Sequence, residues 1–248
     1  MLLNKFALQL FSVRKSFEIS PEATLKKVSD LGYSGVEVAG FASLSPAHFR
    51  EICDNLGLEI YAMHGGESDL KPENIQKTLS VLNEIGCSKF VCAWVPKIKS
   101  MYELFDVCER FNSYAAIMKE NGAQFFFHNH DDEMVRLDGD KTILELLIEN
   151  TEKAVGYELD TGWCNFGGVD SCDIIRRYSD RIGLIHLKQL KEIGTRIITE
   201  LPNGSVIDAE KIISVCHQNG IDRFIVEQDD SDDDIKSAKI NADYLLRM

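Results

Sequence analysis

The chain has 248 residues, 44% of them hydrophobic and 27% charged, an ordinary globular balance with ample sequence to bury a large core. A formal net charge of −13 without any cluster of Lys and Arg argues against nucleic acid or an anionic membrane as partner, because polyanions are held by grouped cations that release their counterions. No run approaches the roughly 18 apolar residues of a membrane span, and residues 1–11, interrupted by Asn4, Lys5 and Gln9, lack a signal-peptide pattern, so a cytoplasmic protein is expected.

From the start of the chain, short apolar runs alternate with segments of helical period. Residues 5–11 predict a strand and 21–31 a helix stopped by Gly32; 35–38 is a strand, and 46–56 a helix stopped by Gly57. A strand at 58–63 leads to a helix at 72–85 with Gly86 behind it, then a strand at 89–94 and a long helix at 100–121 before Gly122. Strand 123–128, helix 141–150, strand 154–160 and helix 170–178 follow. Strand 181–187, helix 209–219 before Gly220, strand 223–227 and helix 232–246 complete the chain. Glycine just past a helix is a stop signal, because it tolerates the left-handed conformation there. Short strands apolar on both faces belong to a parallel sheet. Eight of them, each followed by a helix and with no linker between, predict one α/β domain over 1–248, a closed (β/α)8 barrel. An open doubly wound sheet is the alternative, but no GxGxxG follows the first strand. The seven cysteines, odd in number and without a CxxC pair, read as reduced apolar fillers.

Barrel chemistry sits where strands end. Gln9, Arg14, Glu37, His64, Trp94, His128, His130, Glu158, Asp160, His186, Lys188 and Glu227 all stand at or near predicted strand ends. The stretch FFFHNHDDEM (125–134) shows the pattern most clearly, with three rings for the core and then a burst of imidazoles and carboxylates. Side chains alternate along a strand, so His128 and His130 share a direction, as do Glu158 and Asp160, and His186 and Lys188. Each such residue taken alone is better explained as a solvated end or a helix cap. Their convergence is what suits a divalent cation with nitrogen and oxygen ligands: manganese, cobalt, zinc or magnesium. His48 and His217 fall in helices and are expected to be inert.

Other features read mainly as structure. DDSDDD (229–234) opens the last helix, where acids suit the dipole, although Asp229 lies near the expected site. The paired glycines of MHGGE (63–67) are a weak phosphate-loop signal. GWCNFGG (162–168) reads as a flexible loop over the barrel mouth, with Trp163 either a wall for a ring-shaped substrate or a packing residue.

These residues resemble the sugar phosphate isomerase/epimerase family, the barrels related to xylose isomerase. The likeness is carried by LQLFSVR (8–14), GYSGVEVAG (32–40), FHNHDDEM (127–134), ELDTGWCNFGG (158–168), RIGLIHLK (181–188) and FIVEQD (224–229), in order along the chain. The resemblance implies a divalent metal held by Glu, Asp, His and Glu from the fifth to eighth strands. Asp160, His186 and Glu227 match the last three; His128 stands where relatives have the first Glu, with Glu133 as the alternative ligand. Gln189 stands where relatives often have Asp. The implied activity is that of a sugar, sugar phosphate or inosose isomerase or epimerase, abstracting a proton beside a carbonyl through an enediolate. If the intermediate instead expels a β-substituent, the enzyme is a dehydratase or lyase. Glu227 would be the base, with His130 or Glu133 its counterpart, and Lys188 would neutralise oxyanion charge. Gln9, Glu37, His64, Trp94, Glu158 and Trp163 would meet the sugar or polyol. A non-catalytic sugar-binding barrel is the rival from another class, whereas the acidic charge argues against an abasic-site endonuclease. Self-association into a homo-oligomer stays open.

Overall fold

The computed structural model describes residues 5–248, so Asn4 lies outside the described residues. Eight parallel strands form the barrel: β1 (Phe6–Gln9), β2 (Gly35–Val38), β3 (Glu59–Gly65), β4 (Lys89–Cys92), β5 (Gln124–His128), β6 (Val155–Asp160), β7 (Ile182–Leu190) and β8 (Phe224–Glu227). Each pairs with the next, and β8 pairs with β1 through Ala7↔Ile225, which closes the ring. Helices such as Pro21–Asp30, Pro46–Leu56, Met101–Glu120 and Asp234–Leu245 pack outside. The expected eight-stranded barrel is therefore found. Among the described residues, no helix is long and apolar enough to cross a membrane.

The barrel interior is layered. Ala7, Ala62, Val91, Phe126, Leu184 and Ile225 form an apolar floor separate from the larger core between sheet and helices. Phe126 fills most of that floor because β6 offers no side chain opposite it: a Cβ on Gly156 would stand 2.5 Å from the Phe126 ring. The seven cysteines are free and buried, as the apolar reading expects.

Differences from the expected elements are local and have causes. The first strand stops at Gln9, whose own Oε1 accepts from the Phe11 amide at 3.1 Å and turns the chain into the short helix Leu10–Val13. Residues 162–168 are not a flexible loop: Thr161–Phe166 is a buried helix, capped by Asp160 Oδ1 accepting from Trp163 N at 2.9 Å. The run 229–234 is not wholly solvated either, since Asp234 is buried and accepts from both the amide and the hydroxyl of Ser16. β7 runs three residues beyond its predicted end because Gln189 and Leu190 pair with the antiparallel strand Ile198–Thr199. Local periodicity carries no record of that partner.

Gly57 ends the helix Pro46–Leu56 with φ at 68°, and an added Cβ there would meet nothing within 4 Å. The cost of Gly57→Ala is thus one of backbone conformation alone, about 1–2 kcal/mol. Urea unfolding should show the midpoint falling accordingly with its slope unchanged; an unmoved midpoint would mean that the turn has relaxed.

Candidate active site at the carboxyl end of the barrel

The stride of two that builds the floor also builds the site. Two residues beyond Ala7, Ala62, Phe126, Leu184 and Ile225 come Gln9, His64, His128, His186 and Glu227. Glu37 on β2 and Glu158 on β6 join them, and another stride on β6 and β7 delivers Asp160 and Lys188. All but His64 are buried.

Two compartments result. In the deeper one, Glu158 Oε2 lies 2.6 Å from His64 Nε2, 3.0 Å from His128 Nδ1 and 3.1 Å from His186 Nε2. Glu37 Oε2 lies 2.7 Å from His186 Nε2 and 3.1 Å from His64 Nε2, and accepts from Gln9 Nε2 at 2.7 Å. In the outer one, Lys188 Nζ stands 2.8 Å from Glu227 Oε2 and 3.1 Å from both Asp160 Oδ2 and Asp229 Oδ2. His186 Nδ1 lies 3.0 Å from Glu227 Oε2, and His128 Nε2 lies 3.9 Å from Asp160 Oδ2. His128 and His186 thus form a partition, each with one ring nitrogen facing either side.

Electrostatics separate the histidines. Burial opposes charge on His64, but Glu37 and Glu158 outweigh it and raise the ring to about 10. His186 is raised in the same way, burial being overridden by Glu158 and Glu37. Burial, reinforced by the neighbouring His186 and His130, drives His128 well below its ordinary value despite its contact with Glu158. The Lys188 ammonium keeps its proton in spite of burial, because Asp160, Glu227 and Asp229 surround it. Burial and the nearby Glu227 push Asp229 up to about 7.

One donor atom from each of His128, Asp160, His186 and Glu227 falls within 4.8 Å of the others. Two imidazoles and two carboxylates are a fitting donor set for a divalent cation. A second observation agrees: Asp160 Oδ2 is buried without a hydrogen-bond partner, the Lys188 ammonium approaching it out of line, while Asp160 Oδ1 is spent on the helix cap.

The remaining sequence-derived candidates divide. His130 is half-buried, its ring centroid 4.9 Å from that of His128. Trp163 is buried, 6.4 Å from the His130 ring and 5.0 Å from the Lys188 ammonium, between centroids and to the centroid respectively. Glu133 does not join the converging donors; its Oε2 accepts from the His130 amide at 2.8 Å and ties that loop together. Trp94 is 63% exposed beyond β4. Glu37 and Glu158 are engaged with imidazoles rather than pointing free into a cavity.

Asn129 is a positioning residue that strand-end reasoning passes over. Facing away from its histidine neighbours, it accepts from Asp160 N at 3.0 Å and donates to Asp160 O at 3.4 Å, which pins β6 at its last residue. An asparagine between two histidines gives no sequence signal for this role. Gln189 likewise alternates away from His186 and Lys188. Its amide accepts from Val206 N and Ile207 N and donates to Leu201 O and Ile207 O.

The family model described as xylose isomerase-like TIM barrel matches residues 25–248. This chain belongs to that family. It is 25% identical over 196 residues to an inosose dehydratase of Geobacillus kaustophilus, which covers 68% of this chain and 62% of the relative. It is 24% identical over 225 residues to the rhizopine catabolism protein MocC of Rhizobium meliloti, covering 81% of this chain and 67% of that protein. The chain therefore spans about two thirds of the length of these curated relatives. A crystal structure of a sugar phosphate isomerase/epimerase from Parabacteroides distasonis superposes with a TM-score of 0.87 at 22% identity, over 99% of this chain and 98% of the other.

Because Gln189 satisfies buried backbone groups of the 201–207 segment, Gln189→Leu strands all of them. We expect a loss of about 3 kcal/mol in chemical unfolding. A loss below about 0.5 kcal/mol would show that water replaces the amide.

Proposed function

We propose that the protein is a divalent-metal-dependent enzyme that removes a proton beside the carbonyl of a keto sugar or inosose-type polyol, giving isomerisation or epimerisation. The observation that carries this is the convergence of one donor atom each from His128, Asp160, His186 and Glu227, with the buried Asp160 Oδ2 ion-paired to Lys188 but accepting no hydrogen bond. A divalent cation bound by these four side chains supplies Lewis acidity, which makes the carbon next to a carbonyl acidic enough to lose its proton.

The chain's own groups perform the rest. Glu227, held between Lys188 and His186, takes the proton as base. Lys188 neutralises negative charge developing on substrate oxygen without moving, because Asp160, Glu227 and Asp229 already fix its ammonium. His130, or Glu133 that burial pushes up to about 7 and that holds the His130 amide, is the counterpart that returns the proton. The Trp163 ring walls one side of the substrate and narrows water's access.

Dehydration is the second reading, favoured by the inosose dehydratase among the relatives. The same abstraction followed by loss of a β-hydroxyl gives that outcome. The two readings differ in product and share the base.

The test is solvent-deuterium incorporation into a panel of keto sugars and inososes. Label should enter substrate with the metal-loaded protein, vanish after chelation and return with manganese or cobalt. Full incorporation by verified metal-free protein would overturn the mechanism, and loss of one water from the product would select dehydration. Glu227→Gln should lower kcat/KM by at least about 100-fold; unchanged turnover would remove Glu227 as base.

A further inference from the structure

We infer that the deeper compartment is a second cation position, in which His64 Nε2, His128 Nδ1, His186 Nε2 and Glu158 Oε2 bind one zinc-like ion, and that it is filled in alternation with the outer set rather than together with it. The position stands on its own donors; its competition with the outer set rests on the function proposed above.

The geometry argues for it first. One donor atom from each of these four residues lies within 4.8 Å of the others. Glu158 Oε2 is 2.6, 3.0 and 3.1 Å from the three nitrogens. Tetrahedral zinc with bonds of 2.0–2.1 Å sets its donors roughly 3.3 Å apart, so the Glu158 contacts to His128 and His186 are already near that spacing, and the one to His64 would open by roughly 0.7 Å. Charge argues the same way. Glu37 and Glu158 place two carboxylates in a buried space, and one divalent ion with neutral imidazoles would balance them when both are ionised. Each of these carboxylates also keeps one buried oxygen, Oε1, without a hydrogen-bond partner.

The two positions differ in the ion they suit. Three imidazoles and one carboxylate favour zinc, whereas two imidazoles and two carboxylates suit manganese or magnesium better. They also compete, because they share rings. The deeper position uses His128 Nδ1 and His186 Nε2; the outer one uses His128 Nε2 and His186 Nδ1. A neutral imidazole has one lone pair, so filling both positions would require both rings to lose their second proton. With the ion outside, Glu158 and Glu37 accept the N–H of the two rings and orient them. With the ion inside, Glu227 accepts from His186 Nδ1 instead. Zinc therefore competes with the activating ion rather than substituting for it.

Anomalous scattering from the full chain loaded singly with zinc or manganese, with elemental analysis, tests this without any variant. The expected result is one zinc per chain among His64, His128, Glu158 and His186, and one manganese per chain among His128, Asp160, His186 and Glu227. Zinc in the outer set, or two fully occupied zinc sites per chain, overturns the inference. In solution, His64→Gln should weaken zinc binding, measured against a chromogenic chelator, at least tenfold and change manganese affinity less than twofold. Asp160→Asn should do the reverse. Equal effects of His64→Gln on both ions also overturn the inference. Manganese missing from the outer set while zinc fills the deeper one would instead sink the proposed function and leave this site standing.

Discussion

Glu37, Glu158, Asp160 and Glu227 are four carboxylates carried to the inside of one barrel, where an unpaired charge costs several kcal/mol. The surrounding architecture answers that cost. His64 and His186 are held protonated by the deeper pair, and Lys188 by the outer pair with Asp229. Such a balance is stable, but it is also exchangeable, because a divalent cation can take over the role of the protons. Under the proposed function, proton and metal would be alternative partners for these carboxylates.

How much of this was legible in the sequence follows from what each signal depends on. The strands Gly35–Val38 and the helix Pro46–Leu56 are bounded by their own residues, Pro46 at one end and Gly57 at the other, and both match their expected limits. Alternation says that His128 shares a direction with His130, Glu158 with Asp160 and His186 with Lys188, but not whether that direction is inward. What escaped depends on contacts distant in the chain: the end of β7 on Ile198–Thr199, the helix Thr161–Phe166 on a cap that doubles as a site residue, the pinning of Asp160 by Asn129. A place at a strand end brings Glu37 and Glu158 to the site, yet it cannot say that imidazoles from β3, β5 and β7 would already be in contact with them.

The floor beneath the site shows the same economy of pattern. Phe126 occupies the axis because Gly156 yields the space, and two residues later on those same strands stand His128 and Glu158. One period of two therefore seals the lower end of the barrel with a ring and arms the upper end with donors. Strand register, more than any single contact, fixes how deep the reactive layer lies.

Asp160 carries a further implication. Its two oxygens face different tasks: Oδ1 secures the start of the helix bearing Trp163, and Oδ2 faces the donor set. Tugging on the carboxylate from one side must be felt on the other, since both oxygens turn about the same bond. The position of the Trp163 helix is thus coupled to the orientation of Asp160 Oδ2 within the donor set, so that under the proposed function an ion held there would also set where the indole stands.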